Sequence, residues 1–273
     1  MPKKPKNSSV EKKAENPNAF KLWINRGVLV KIAESIRQDF PSFDSSIFVG
    51  IARELDALEL KPRVHRVRDQ LRAQLPEDYL KALKILLKAV KRGNLDGFDL
   101  WPFTEFVQTY GLDHPELSLE ALYVLTEKFT GEFAVRPFLK KHPKLTQDFL
   151  MKCATDANVH VRRWVSEGTR PRLPWGERLN AFIEQPKTTL PLLEKLKHDS
   201  ELYVRKSIAN HLNDIAKDHP EVVLGVLKKW KSGAPEIHAD KIEWIIHRSL
   251  RSLIKAGHPG ALTLIGASPN NTS

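Results

Sequence analysis

The chain has 273 residues, 41% apolar and 28% charged, with a formal net charge of +11 and a sequence pI near 9.6. That length buries a substantial core, and the charge excess points to a polyanionic partner, nucleic acid before an acidic membrane or protein, with plain solubility as the bland alternative. One cysteine, Cys153, excludes an intrachain disulfide framework and a thiolate zinc set, ten histidines without HExxH spacing argue against a metal site, and no apolar run reaches the roughly 20 residues that span a bilayer.

Residues 1–18, MPKKPKNSSVEKKAENPN, are lysine-rich and nearly without apolar side chains, so a flexible basic arm is expected there. No secretory h-region is read, and the default location is the cytoplasm, a reducing environment. From Phe20 onward helical periodicity takes over. Helices are predicted over 20–38, 45–58, 78–90, 118–129, 145–153, 159–167, 176–184, 188–197, 202–217, 220–229 and 241–255, with Pro and Gly at the joints. The fold class is all-α. The domain is expected over 19–266, and a disordered tail over 267–273.

A repeat runs through the middle. Asp113, Asp156 and Asp199 lie 43 residues apart, and Arg162, Arg205 and Arg248 keep the same step. "DANVHVRRWV" aligns with "DSELYVRKSI" at the Asp, at Val-Arg and at the closing apolar residue. This period is that of HEAT-like repeats, which stack into a curved solenoid with a concave, here basic, groove. The repeated Asp and Arg are expected to cap helices or pair between units.

Within 202–217, Val204, Ile208, Leu212 and Ile215 form a core stripe, which places Lys206, Asn210, Asn213, Asp214 and Lys217 on the opposite side. A solvated polar face is one reading. The other follows from the repeat: Asn210 sits one period after Glu167, and Asp214 lies one turn beyond it. "VRRWVSEGTRPRLPWG" (161–176) sets Glu167 among Arg162, Arg163, Arg170 and Arg172, with Trp164 and Trp175. Upstream, "TGEFAVRPF" offers Glu132 and Arg136. Carboxylates in a basic groove are unfavourable if phosphates are the only ligand. They fit a reaction whose centre becomes positive, such as hydrolysis at a sugar C1 through an oxocarbenium-like transition state. An indole face favours a cationic base over a neutral one by about 0.5–2 kcal/mol.

"FTGEFAVRPFL", "VRRWVSEGTRPRLPWG" and "YVRKSIANHLNDIAKDHP" in this order resemble the AlkC-type branch of the AlkC/AlkD superfamily, DNA alkylation repair glycosylases built of HEAT-like repeats. The resemblance is strong over about 115–230 and extends upstream only in helical character. It implies excision of cationic alkylated bases, notably 3-methyladenine and 3-methylcytosine, from duplex DNA, without cofactor or metal; a closed solenoid has no need to dimerise, so a monomer is expected. Carried over motif by motif, Glu167 and Asp214 are the carboxylates at sugar and water, Trp175 packs near the lesion nucleotide, and Glu132 either joins them or holds an arginine. Arg136, Arg163, Arg170, Arg172, Arg205, Lys206 and Asn210 are the expected DNA contacts. Approach to the lesion in bent DNA without a base pocket is part of the resemblance. An immunoglobulin-like domain, common in this branch, is not expected after residue 255. Two other readings remain open: a non-catalytic HEAT-like module for damaged or branched DNA, and a scaffold for an acidic protein.

Overall fold

Apolar side chains recurring every three or four positions fold the chain into helices joined by short turns; the computed structural model describes residues 20–267. The arm expected at 1–18 and, Ala267 apart, the tail expected at 267–273 lie outside the described residues. In order the helices are α1 (Arg26–Arg37), α2 (Ser45–Gly50), α3 (Ala52–Leu55), α4 (Leu60–Gln74), α5 (Tyr79–Lys91), α6 (Trp101–Tyr110), α7 (Pro115–Thr126) and α8 (Val135–Lys141). There follow α9 (Pro143–Cys153), α10 (Val159–Gly168), α11 (Asn180–Glu184), α12 (Leu190–Leu196), α13 (Leu202–Ala216), α14 (Pro220–Ser232), α15 (Ala239–Lys255) and α16 (Pro259–Leu264). No strand occurs among the described residues.

The helices stack in two rows. In one, α10 packs on α13 and α13 on α15, with α4 on α6 further toward the N-terminus. The other row runs through α5, α7 and α9, with α14 on α16 at the far end. The apolar faces between the rows form a single core cluster, from Ile24 and Leu29 through Trp164 to Trp230 and Leu264.

The 43-residue signature has a structural explanation. Arg162 Nη1 donates to the carbonyls of Asp156 and Ala157 (3.0 and 2.9 Å), and Arg205 Nη1 to those of Asp199 and Ser200 (2.9 and 2.6 Å). Each arginine thus closes the turn before its own helix, pairing backbone carbonyls that lie outside any helical ladder. Arg162 also forks onto the Asp199 carboxylate (2.6 and 3.2 Å), stitching one unit to the next. Asp156 and Asp199 accept from the backbone N–H two residues on. Arg248 departs from the pattern: its guanidinium lies 5.8 Å from the Trp244 ring centre.

Several boundaries differ from expectation. The helix predicted at 20–38 is a 3-10 turn, Phe20–Trp23, followed by α1, because the Asn25 side chain accepts from the Gly27 and Val28 N–H groups and starts the helix there. The segment 45–58 divides into α2 and α3, and 176–184 shortens to α11. Four helices were not anticipated: α4, α6, α8 and α16. Each carries a proline in its first turn, Pro62, Pro102, Pro137 and Pro259, where no intrahelical N–H is lost.

Candidate active site

The three carboxylates come together, and arginines separate them. Glu132 sits in the turn between α7 and α8, Glu167 in the last turn of α10, and Asp214 near the end of α13; all three are buried. Arg163 Nη1 meets Glu132 Oε2 at 2.5 Å, and its Nη2 lies 3.6 Å from Glu167 Oε1. Arg170 Nη1 donates to Glu167 Oε1 at 2.6 Å and its Nε to Asp214 Oδ2 at 2.9 Å. The half-exposed Lys217 stands 3.5 Å from Asp214 Oδ1. The result is a ladder of alternating charge, Glu132–Arg163–Glu167–Arg170–Asp214–Lys217, laid across successive units of the stack.

Neutral donors complete it. Ser207 Oγ donates to Glu167 Oε2 at 2.6 Å, and Thr130 Oγ1 to Glu132 Oε2 at 3.0 Å. Arg163 also lies over the Tyr203 ring, 5.0 Å from its centre. Burial pushes the Glu132 carboxyl above its ordinary range; Arg163 opposes this and Glu167 adds to it. Burial works against the charge on Arg170, but Glu167 and Asp214 outweigh it and hold its proton more firmly than usual. Behind the ladder, His211 is fully buried. Its Nδ1 lies 3.0 Å from the Ser166 carbonyl and its Nε2 3.1 Å from Thr189 Oγ1, tying α10 and α13 together beside Glu167 and Asp214. Burial drives its pKa down to about 3, so the ring is neutral.

Residues 169–179 leave the end of α10 as a loop. Arg136 holds it from α8: with 1% of its surface exposed, it donates to the carbonyls of Gly168 (3.0 Å), Arg170 (2.8 Å) and Glu177 (2.7 Å from Nε). Burial lowers its pKa to about 10. Trp175 lies in this loop with φ +62°, in the left-handed region, and 63% exposed. Gly131 and Gly168 let the Glu132 turn and the end of α10 close around Trp164. A Cβ on Gly131 would come within 2.8 Å of Thr126 Oγ1, and one on Gly168 within 2.7 Å of Val135 Cγ1.

Two expected DNA contacts point inward: Arg136 is buried under backbone carbonyls and Arg170 between two carboxylates, while Arg205 is partly exposed and spends its Nη1 on the carbonyls of its own repeat turn. Arg163 is largely committed to Glu132. Arg172 grips Asp218 through contacts of 2.8 and 2.9 Å but keeps part of its surface exposed, as Lys206 does fully. The outward polar face expected on α13 is also revised. Asn213 and Asp214 are buried because α10 and α15 pack on both sides of the helix, and Asn210 is half-buried. Ser207, one turn before Asn210, is the residue that reaches Glu167. Ser207, Tyr203, Thr130 and His211 were missed, although the first, second and last lie within the block "YVRKSIANHLNDIAKDHP".

A two-row stack of 43-residue helical units that brings three buried carboxylates together defines a HEAT-like repeat protein. No protein-family model matches the chain. It is 40% identical over 244 residues to the Bacillus subtilis (strain 168) protein described as uncharacterized protein YhaZ, a match covering 89% of this chain and 66% of that one. Its fold is similar to that of Pseudomonas fluorescens alkylpurine DNA glycosylase AlkC bound to DNA containing an abasic site analog. That match has TM-score 0.82 and 39% identity, and covers 92% of this chain and 69% of the other. The chain belongs to the AlkC family, and it spans about two thirds of the length of each of these relatives.

Proposed function

We propose that this protein is a DNA glycosylase that hydrolyses the N-glycosidic bond of cationic alkylated bases, 3-methyladenine and 3-methylcytosine among them, in duplex DNA. The observation that carries the reading is the ladder itself, three buried carboxylates brought together across adjacent units. In the reaction the C1–N bond breaks and its electron pair leaves with the base, cancelling the base's positive charge, so no general acid is required. The sugar becomes oxocarbenium-like, which Glu167 and Asp214 stabilise. Water adds to C1 and gives up a proton, for which Glu132, with its raised affinity for protons, is the best-suited acceptor. Trp175 packs against the lesion nucleotide. DNA is held by the cations that remain exposed at the groove, Arg172, Lys206 and Lys217. With DNA as its substrate, the enzyme acts in the cytosol, beside the chromosome, as a monomer.

The test is release of free base from randomly methylated duplex DNA, resolved by chromatography, for wild type beside Asp214→Asn and Glu167→Gln. Wild type should release both methylated bases, and the variants should lose about 100-fold or more while still binding abasic-site DNA. Variants that excise at the wild-type rate would remove these carboxylates from the mechanism.

A further inference from the structure

α4 is a helix that polar composition conceals in the sequence, and it touches the site at one point. We infer that Lys61, in its first turn, is the positioning residue for Trp175; the inference rests on the glycosylase reading of this site.

Trp175 is the only non-glycine residue with positive φ among the described residues. A bulky side chain is disfavoured in the left-handed region and stays there only when its surroundings impose it. The indole cannot impose it, being 63% exposed. The backbone has to be held instead. Arg136 fixes the loop on either side, at the carbonyls of Arg170 and Glu177, and the Gly176 N–H donates to the Leu173 carbonyl at 3.0 Å. The carbonyl of Trp175 itself accepts a hydrogen bond from Lys61 Nζ.

The same ammonium is anchored from a second side. Lys61 Nζ lies 5.4 Å from the centre of the Phe133 ring, and Phe133 stacks on the buried Trp101 (5.7 Å, 13°). Phe133 directly follows Glu132. One lysine therefore links α4, the Glu132 turn and the Trp175 carbonyl, setting the indole relative to the first carboxylate of the ladder. Leu60, Lys61 and Pro62 line an open cleft together with Trp175, and Lys61 is the one of them that hydrogen-bonds the loop backbone. A cation here does not attract a cationic base, so Lys61 acts through the position of Trp175.

The experiment uses Lys61→Met, which keeps most of the stem and removes the donor, and Lys61→Arg, which keeps a donor. Acrylamide quenching of the tryptophan emission attributable to Trp175, obtained by difference from Trp175→Phe, should change in Lys61→Met. Single-turnover excision at saturating enzyme should slow by about tenfold, with affinity for abasic-site DNA altered less than about threefold, and Lys61→Arg should recover most of the rate. In the Trp175→Phe background, Lys61→Met should cost less than about a further twofold, because coupled residues are not additive. Full additivity of the two substitutions, or unchanged quenching of Trp175 in Lys61→Met, would overturn the assignment. If wild type releases no base, the glycosylase reading fails, and the quenching measurement still decides whether Lys61 sets Trp175.

Discussion

Replacing Arg170 with Met tests whether the charge ladder holds the site together. Arg170 is 6% exposed and bridges Glu167 and Asp214 at 2.6 and 2.9 Å, with both carboxylates buried. Met fills much of the volume but leaves two carboxylates facing an apolar side chain. Breaking a buried pair by removing one partner costs about 3–5 kcal/mol, because the remaining charge is uncompensated. Two neighbours soften the loss: Arg163 stands 3.6 Å from Glu167 Oε1, and Lys217 stands 3.5 Å from Asp214 Oδ1. The lower end of the range, about 3 kcal/mol, is therefore expected, and at ~2–4 °C per kcal/mol for a domain of this size the Tm should fall by about 6–12 °C. Far-UV circular dichroism melts would read this directly. Adding Asp214→Asn should restore part of the Tm, since it removes one stranded charge. A Tm within about 2 °C of wild type, or strictly additive losses in the double variant, would refute the claim that Arg170 neutralises this pair.

Arg136→Met should lower stability by about 3 kcal/mol and expose the 169–179 loop to proteolysis, while the dependence of DNA affinity on salt stays that of wild type; a reduced salt slope would return Arg136 to the phosphates. Glu132→Gln should lose excision yet gain stability at high pH. Burial raises the folded pKa of Glu132 above its ordinary value of 4.5, so its contribution to stability is fully present below that value and is lost as pH rises through the folded pKa. The Tm difference between variant and wild type should thus favour the variant at pH 8 and vanish near pH 4, and a difference independent of pH would contradict the buried, perturbed carboxyl. Wild-type excision should fall on the acid side at a pH above that of an ordinary carboxylate, as Glu132 takes up its proton, and the residual activity of Glu132→Gln should lack that limb.

What was legible in the sequence was the part written in period and motif. The 43-residue step gave the stacked units, and because each unit contributes one turn to the same edge, Glu132, Glu167 and Asp214 could be grouped before any coordinates. The partners of the arginines were not legible. A guanidinium in a sequence reads as surface charge, yet Arg136 finds carbonyls 32 to 41 residues away and Arg170 a carboxylate 44 residues away, pairings that only the packing of α8, α10 and α13 creates. The helical wheel misled at α13 for a related reason: it assumes one buried face, whereas α13 is covered by α10 on one side and α15 on the other, so Asp214 is buried opposite the apolar stripe. α4 was not anticipated, because its sequence LKPRVHRVRDQLRAQ is polar along most of its length, and Lys61 was lost with it.

The inward arginines change the electrostatic argument for the groove. The three carboxylates of the ladder face Arg163 and the buried Arg170, with the buried Arg136 close enough to act on Glu132 and Asp214 and the half-exposed Lys217 at the edge, so the acids are balanced by cations turned inward. The chain as a whole is strongly positive, at +11. The two demands of the chemistry are thereby separated in space. Exposed cations at the surface attract phosphates over the distance that salt permits. On the proposed reaction, the carboxylates stand fixed in a water-poor site where positive charge would develop on the sugar, held in place by arginines whose own charges are already satisfied. Had Arg163 and Arg170 pointed to the phosphates, the carboxylates would have repelled the DNA and one another. Bound inward, they let three acids share one small volume while remaining ionised enough to act.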